Sequence, residues 1–272
     1  MINKKNISFY NEHGYLLIKN YLSKKLCHEL KSSVKNLQPK LKIPFSDQAL
    51  GFGDVRNIDP FSKILTKTKI SDDVKNLIKI NPKLSHFMLV NKAAWIGPEV
   101  EWHQEIFNID MYAAGIDKEK DWTKFIQVFI AIDPQTRDNG CLRIFDKSHQ
   151  AGILNYEDIV NITGSHKRRV KCQDLDKLVS RFKIVDIELS EGDAIFFNHL
   201  LVHGSQSNNS PTSRISALLQ FYENDLVFDN SIFEQYKEFR GKFVENWLID
   251  SSKNINLYKK NLDDFKKNKI KL

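Results

Sequence analysis

The chain has 272 residues, 41% hydrophobic and 28% charged, a composition that suits a globular protein with one large core and carries no sign of disorder along most of its length. Basic residues number 41 against 34 acidic, a formal net charge of +7, but no basic stripe is interleaved with stacking aromatics, so nucleic acid is not expected as a partner. The cysteines Cys27, Cys141 and Cys172 lie far apart with no C-x-x-C spacing, which argues against a disulfide framework or zinc site; no run approaches the roughly 20 apolar residues of a membrane span, and a cytoplasmic location is expected.

Ser23 precedes Leu26, Leu30, Val34 and Leu37 at helical spacing, and Pro39 ends that helix. A second helix is expected after Ser71, with Asp72 and Asp73 in its first turn and Val74, Leu77 and Ile78 turned inward. From Phe87 onward the apolar pattern shortens to strands: 87–91, 126–132, 141–145, 184–189, 194–197 and 215–222. Short strands broken by turn signals indicate a closed or doubled antiparallel sheet. Glu191-Gly192-Asp193 reads as the turn feeding the buried run that begins at Ala194. Tyr236, Phe239, Phe243 and Trp247 recur at helical spacing in a C-terminal helix expected to pack on the barrel. The expected organisation is one domain over 1–272: helical decoration over 1–84, a β core over 85–225 with a lid loop near 151–180, and helices with a basic tail over 226–272. The basic run Ser165 to Lys171 reads first as a solvated loop, and second as a lid that greets a phosphate, carboxylate or coenzyme A tail.

Chemistry concentrates in Trp102-His103-Gln104-Glu105 and, a hundred residues later, Leu201-Val202-His203-Gly204-Ser205, followed by Arg214. Two histidines and a carboxylate are the ligands that hold non-haem Fe(II) by one face and leave the other open. In an extended chain His103 and Glu105 project to the same face and can grip one ion. Arg214 opens the strand that follows the second histidine motif and could pair with an acidic cosubstrate, facing one cavity with His203 if their strands are neighbours.

These residues resemble the phytanoyl-CoA dioxygenase family of Fe(II)- and 2-oxoglutarate-dependent oxygenases, from about Tyr15 to Tyr222. Met88-Leu89-Val90-Asn91-Lys92 is similar to the strand before the first metal motif. Asn139-Gly140-Cys141-Leu142 with Ser148-His149 resembles the family hairpin, and Glu191 through Ser205, then Asn208, Ser210-Pro211 and Arg214, its closing motif. The resemblance implies a mainly β fold, a double-stranded β-helix of jelly-roll, cupin-like type with decorating helices. It implies Fe(II) on His103, Glu105 and His203. It also implies 2-oxoglutarate held at its distal carboxylate by Arg214, with Ser205 nearby and Met88, Gln127 and Phe129 lining the pocket. With O2 as second cosubstrate, the implied reaction is hydroxylation of an unactivated C–H bond, releasing succinate and CO2. Glu105 stands where the family usually carries aspartate; a carboxylate there, rather than a small residue, favours hydroxylation over halogenation. Phe129 stands where tryptophan is frequent.

Lysine excess tilts the expected substrate towards a small anionic molecule; the sequence carries no signal of oligomeric state. Two rival readings are a catalytically silent β-helix binding protein and a cupin-like metalloenzyme that does not use 2-oxoglutarate. Asp110 is an alternative carboxylate ligand. His13, His28, His86, His149, His166 and His199 lack ligand spacing and read as packing, capping or surface groups, with His149 bracing the hairpin loop. Ser205 beside His203 has no glycine-flanked elbow and no third member, so a hydrolase is not expected.

Overall fold

A computed structural model describes residues 2–37, 55–95, 97–106, 121–158 and 168–226. All of these belong to one unit, Met1–Asp110 with Ile116–Val227, while a second unit, Met111–Gly115 with Phe228–Leu272, lies outside the described residues. The expected C-terminal aromatic helix, Pro39, Asp110 and residues 165–167 also lie outside them.

The N-terminal helix α1 (Lys4–His13) is set by reciprocal side-chain caps, Asn6 N to Asn3 Oδ1 and Asn3 N to Asn6 Oδ1, each 3.0 Å. Strand β1 (Tyr15–Ile18) follows, then α2 (Lys24–Leu37), α3 (Lys63–Lys67) and α4 (Ile70–Ile78). Both expected helices are present; α4 starts at Ile70, ahead of the expected Ser71 boundary, and buries Asp73, whose carboxylate accepts from Tyr21 Oη at 3.0 Å.

The remaining strands are β2 (Pro82–Lys92), β3 (Val100–His103), β4 (Phe125–Ala131), β5 (Leu142–Phe145), β6 (Tyr156–Asp158), β7 (Arg168–Val170), β8 (Ile184–Ile187), β9 (Ala194–Asn198), β10 (His203–Ser205) and β11 (Arg214–Glu223), with helix α5 (Cys172–Arg181) between β7 and β8. A five-stranded sheet runs β1-β9-β4-β11-β2 and a four-stranded sheet β3-β10-β5-β8, with antiparallel pairing throughout.

Alternation sorts the side chains of the large sheet. Phe87, Leu89, Ile126, Val128, Ile130, Ala194, Phe196, Ala217 and Leu219 face the helices and join Leu30, Ile64, Val74 and Leu77 in one core. Phe129, Ala131, Ile195 and Phe197 face the opposite way and pack with Leu142, Ile144, Ile187 and Leu201 of the small sheet. Two sheets stacked over a second core make a double-stranded β-helix, the expected fold class.

Several boundaries differ from expectation. Residues 15–18, assigned to helical decoration, form the edge strand of the large sheet, and β2 begins at Pro82. The stretch expected as a lid loop contains α5 and the β6–β7 ribbon. There Arg168 pairs with Asp158 at 3.2 Å and Arg169 with Glu157 at 2.7 Å, so these two guanidinium groups are matched by the chain's own carboxylates.

Candidate metal centre

His103 and His203 are cross-strand partners at the ends of β3 and β10, with ring centroids 4.2 Å apart. Each ring is oriented from behind. His103 Nδ1 lies 2.7 Å from Glu101 O and His203 Nδ1 lies 2.9 Å from Leu201 O. Carbonyl acceptors place the proton on Nδ1 and leave the Nε2 lone pairs for an ion.

Glu105 arrives differently from the sequence expectation. Strand β3 ends at His103, and Glu105 lies in a 3₁₀ turn, not on an extended run. Its longer side chain nevertheless puts Oε1 at 3.2 Å from His203 Nε2 and 3.6 Å from His103 Nε2. One ligand atom from each of the three residues lies within 4.8 Å of the others. Burial and the neighbouring His203 both push His103 towards its neutral form. Burial raises the Glu105 pKa, but hydrogen bonds and charge from the two imidazoles outweigh it and hold the carboxyl well below its usual range. Two imidazoles and one carboxylate, converging in a buried setting, fit a divalent first-row metal.

Gln104, between two of these residues, was not singled out from the sequence. It is fully buried, donates Nε2 to Gly152 O at 2.9 Å and Leu200 O at 2.6 Å, and accepts from Leu154 N at 2.9 Å. It ties the His103–Glu105 segment to the approach to His203. Ser148 does similar work, accepting from Val202 N at 2.9 Å.

His203 and Arg214 are not on neighbouring strands: β10 belongs to the small sheet and β11 to the large one. What links them is Lys92, the cross-strand partner of Arg214, whose Nζ donates to Ser205 Oγ at 2.7 Å and to Gln206 O. Arg214 is 3% exposed and donates Nε to Asn139 O at 3.0 Å, Nη2 to Gly140 O and Nη1 to Ser216 Oγ at 3.3 Å. The Asn139-Gly140 turn thus seats the guanidinium. Asn208, fully buried, shapes the connection into β11 by donating to Lys92 O at 2.9 Å and Thr212 O at 2.8 Å.

Met88 and Phe129 both pair with Leu218 across the large sheet, and Gln127 pairs with Phe197, whose ring lies 4.8 Å from that of His203. All three face the inner core. Gln127 Oε1 is buried without a hydrogen-bond partner, and Phe129 lies 6.0 Å below the Arg214 guanidinium. His149 braces the hairpin as expected: Nε2 lies 3.1 Å from Asn11 O of α1. His199 is fully buried with both ring nitrogens unpartnered, and burial lowers its pKa to about 4.

The family model described as phytanoyl-CoA dioxygenase (PhyH) matches residues 10–216. The chain is similar to a phytanoyl-CoA dioxygenase domain-containing protein 1 homolog of Dictyostelium discoideum, 29% identical over 172 residues that cover 62% of this chain and 58% of that protein. It is similar to a probable phytanoyl-CoA dioxygenase of Caenorhabditis elegans, 25% identical over 80% of this chain and 74% of the relative. It is 22% identical to the peroxisomal phytanoyl-CoA dioxygenase of Homo sapiens over 80% of this chain and 67% of that one. Among solved structures, EctD from S. alaskensis with 2-oxoglutarate and 5-hydroxyectoine superposes with a TM-score of 0.66 at 18% identity, covering 84% of this chain and 78% of that one. The non-heme alpha ketoglutarate dependent carbocyclase SnoK superposes with a TM-score of 0.62 at 15% identity, covering 84% and 86%.

Proposed function

Because the chain belongs to the phytanoyl-CoA dioxygenase family, we propose that it is an Fe(II)- and 2-oxoglutarate-dependent hydroxylase whose metal is held by His103, Glu105 and His203. The observation that carries this is the convergence of those three ligand atoms within 4.8 Å, with both Nδ1 atoms held by backbone carbonyls. When bound, the iron with 2-oxoglutarate and O2 supplies the oxidising chemistry that hydroxylates an unactivated C–H bond and releases succinate and CO2.

The chain's own residues bind, orient and exclude water. Arg214 takes the distal carboxylate of 2-oxoglutarate in a charge-assisted pair, and Ser205 hydrogen-bonds beside it. Gln127 offers its unpartnered amide oxygen, while Met88 and Phe129 form apolar walls that keep water from the reacting face. The primary substrate is a small molecule, and the net charge of +7 favours an anionic one through long-range attraction. Among the described residues no helix is long and apolar enough to cross a membrane; three free cysteines suit the reducing cytoplasm.

Loading the anaerobic protein with Fe(II) and adding 2-oxoglutarate is expected to give a weak visible charge-transfer band. His103→Ala and His203→Ala are expected to lose the band with the metal, whereas Arg214→Ala is expected to keep the metal and bind 2-oxoglutarate more weakly. A wild-type protein that holds Fe(II) yet gives no band would sink the proposal and leave a binding protein or a cupin-like enzyme. Stimulated succinate release in a substrate screen then identifies the substrate class.

A further inference from the structure

The Asn139-Gly140 turn and the loop after β10 close over two basic side chains that, among the described residues, make no ion pair with a carboxylate. Lys92 and Arg214 are cross-strand partners, 1% and 3% exposed. Among the described residues their hydrogen-bond partners are neutral: Ser205 Oγ and Gln206 O for Lys92, and Asn139 O, Gly140 O and Ser216 Oγ for Arg214. The nearby acid Asp133 is already engaged by Lys31 and by Ile215 N at 2.9 Å. Cations of one sign are not buried side by side unless the pair is completed by an anion or one of them gives up its proton.

We infer that Lys92 is a second carboxylate-binding residue of the cosubstrate pocket, taking up a proton from solvent as the distal carboxylate of 2-oxoglutarate arrives between it and Arg214. This rests on the oxygenase reading above. The donor inventory makes the step specific. A neutral amine has two N–H bonds, and Lys92 spends both, on Ser205 and Gln206; the added proton makes the third donor, free for the incoming oxygen. No covalent bond changes, and the proton balances the arriving negative charge.

The surroundings fit that cycle. Burial first, and then the Arg214 charge, lower the Lys92 pKa to about 6, so the resting amine is neutral at working pH. Arg214, lowered by burial only to about 10, stays charged. The other groups facing Lys92 are Cys141, which burial pushes up to about 11 and keeps as a thiol, and the exposed Glu99. Backbone packing leaves the amine little room to swing away: at Gly140, φ +72°, an added Cβ would lie 2.3 Å from Gln206 O and 3.0 Å from Lys92 Nζ.

Titration calorimetry of 2-oxoglutarate into anaerobic Fe(II)-loaded protein, repeated at pH 7.5 in buffers of different ionisation enthalpy, counts the protons exchanged. Wild type takes up about one proton per cosubstrate bound. Lys92→Met keeps its iron, binds 2-oxoglutarate about tenfold or more weakly, and takes up none. Equal affinity and proton count in Lys92→Met, or tight wild-type binding with no proton uptake, would overturn the inference while leaving the oxygenase reading intact. No binding of 2-oxoglutarate by iron-loaded wild type would overturn both.

Discussion

Gln104 makes the metal cluster depend on a side chain that contributes no ligand atom. Its three hydrogen bonds to Gly152, Leu154 and Leu200 lock the turn carrying Glu105 against the loop that delivers His203. Gln104→Leu strands a buried amide and two carbonyls, and the expected result is a fall in Fe(II) affinity of about 10–100-fold, measured by chelator competition, with the fold retained. Glu105 follows the same logic of reach. Because its backbone sits in a 3₁₀ turn past the strand, Glu105→Asp withdraws the carboxylate and is expected to weaken iron binding by at least about tenfold; undiminished affinity would show that the turn can advance to compensate. His103, Glu105 and His203 were singled out by residue type together with the resemblance of their motifs, and the fold brings their ligand atoms together. The roles of Gln104 and Lys92 were not legible in the sequence, because a buried amide and a buried amine acquire meaning only from partners brought by tertiary folding.

At the scale of elements, the Glu191-Gly192-Asp193 turn shows how much a short motif can fix. Gly192 adopts φ +86°, and an added Cβ would lie 2.4 Å from Leu22 O. Asp193, 1% exposed, ties its own turn to the segment after β1 by accepting from Lys19 Nζ at 2.8 Å, Asn20 N at 2.9 Å and Ser190 N at 2.9 Å. Burial opposes its ionisation, but these bonds, led by Lys19, hold its pKa below the ordinary value. A carboxyl depressed in the folded state contributes stability that is present above its unfolded pKa and is lost as pH falls through the lower folded one. Asp193→Asn is therefore expected to cost about 1–3 kcal/mol at neutral pH in denaturant melts, with the difference from wild type shrinking below about pH 4. This turn and the six apolar runs were legible because period-two alternation and glycine leave local marks. Strands β1, β3 and β10, three or four residues long, were not among those runs.

For the molecule as a whole, the inner end of the barrel trades stability for binding. Lys92 has a folded pKa lowered from 10.5 to about 6, so between those values the unfolded chain binds the extra proton and stability rises with pH. Lys92→Met removes that dependence: its melting temperature relative to wild type is expected to be highest near pH 6 and to converge on it as pH climbs towards 10. A parallel pair of melting curves would contradict the assignment. Iron and 2-oxoglutarate act oppositely, each stabilising the native state by mass action, about 2.7 kcal/mol at a hundredfold excess over Kd. Legibility at this scale was uneven too. The sheet order β1-β9-β4-β11-β2, which sets His203 and Arg214 on facing sheets, depends on long-range pairing that no local pattern encodes.

The N-terminal strand carries one more consequence. Tyr15 to Ile18 is the outermost ribbon of the large sheet and covers the backbone of Phe197 through Ala194. A shortened version starting beyond residue 20 would leave that backbone as a bare, apolar seam open to strands of other copies. Such a protein should self-associate on purification while every proposed iron ligand is still encoded, so expression trimming at the front of this chain is a hazard to solubility before it is one to chemistry.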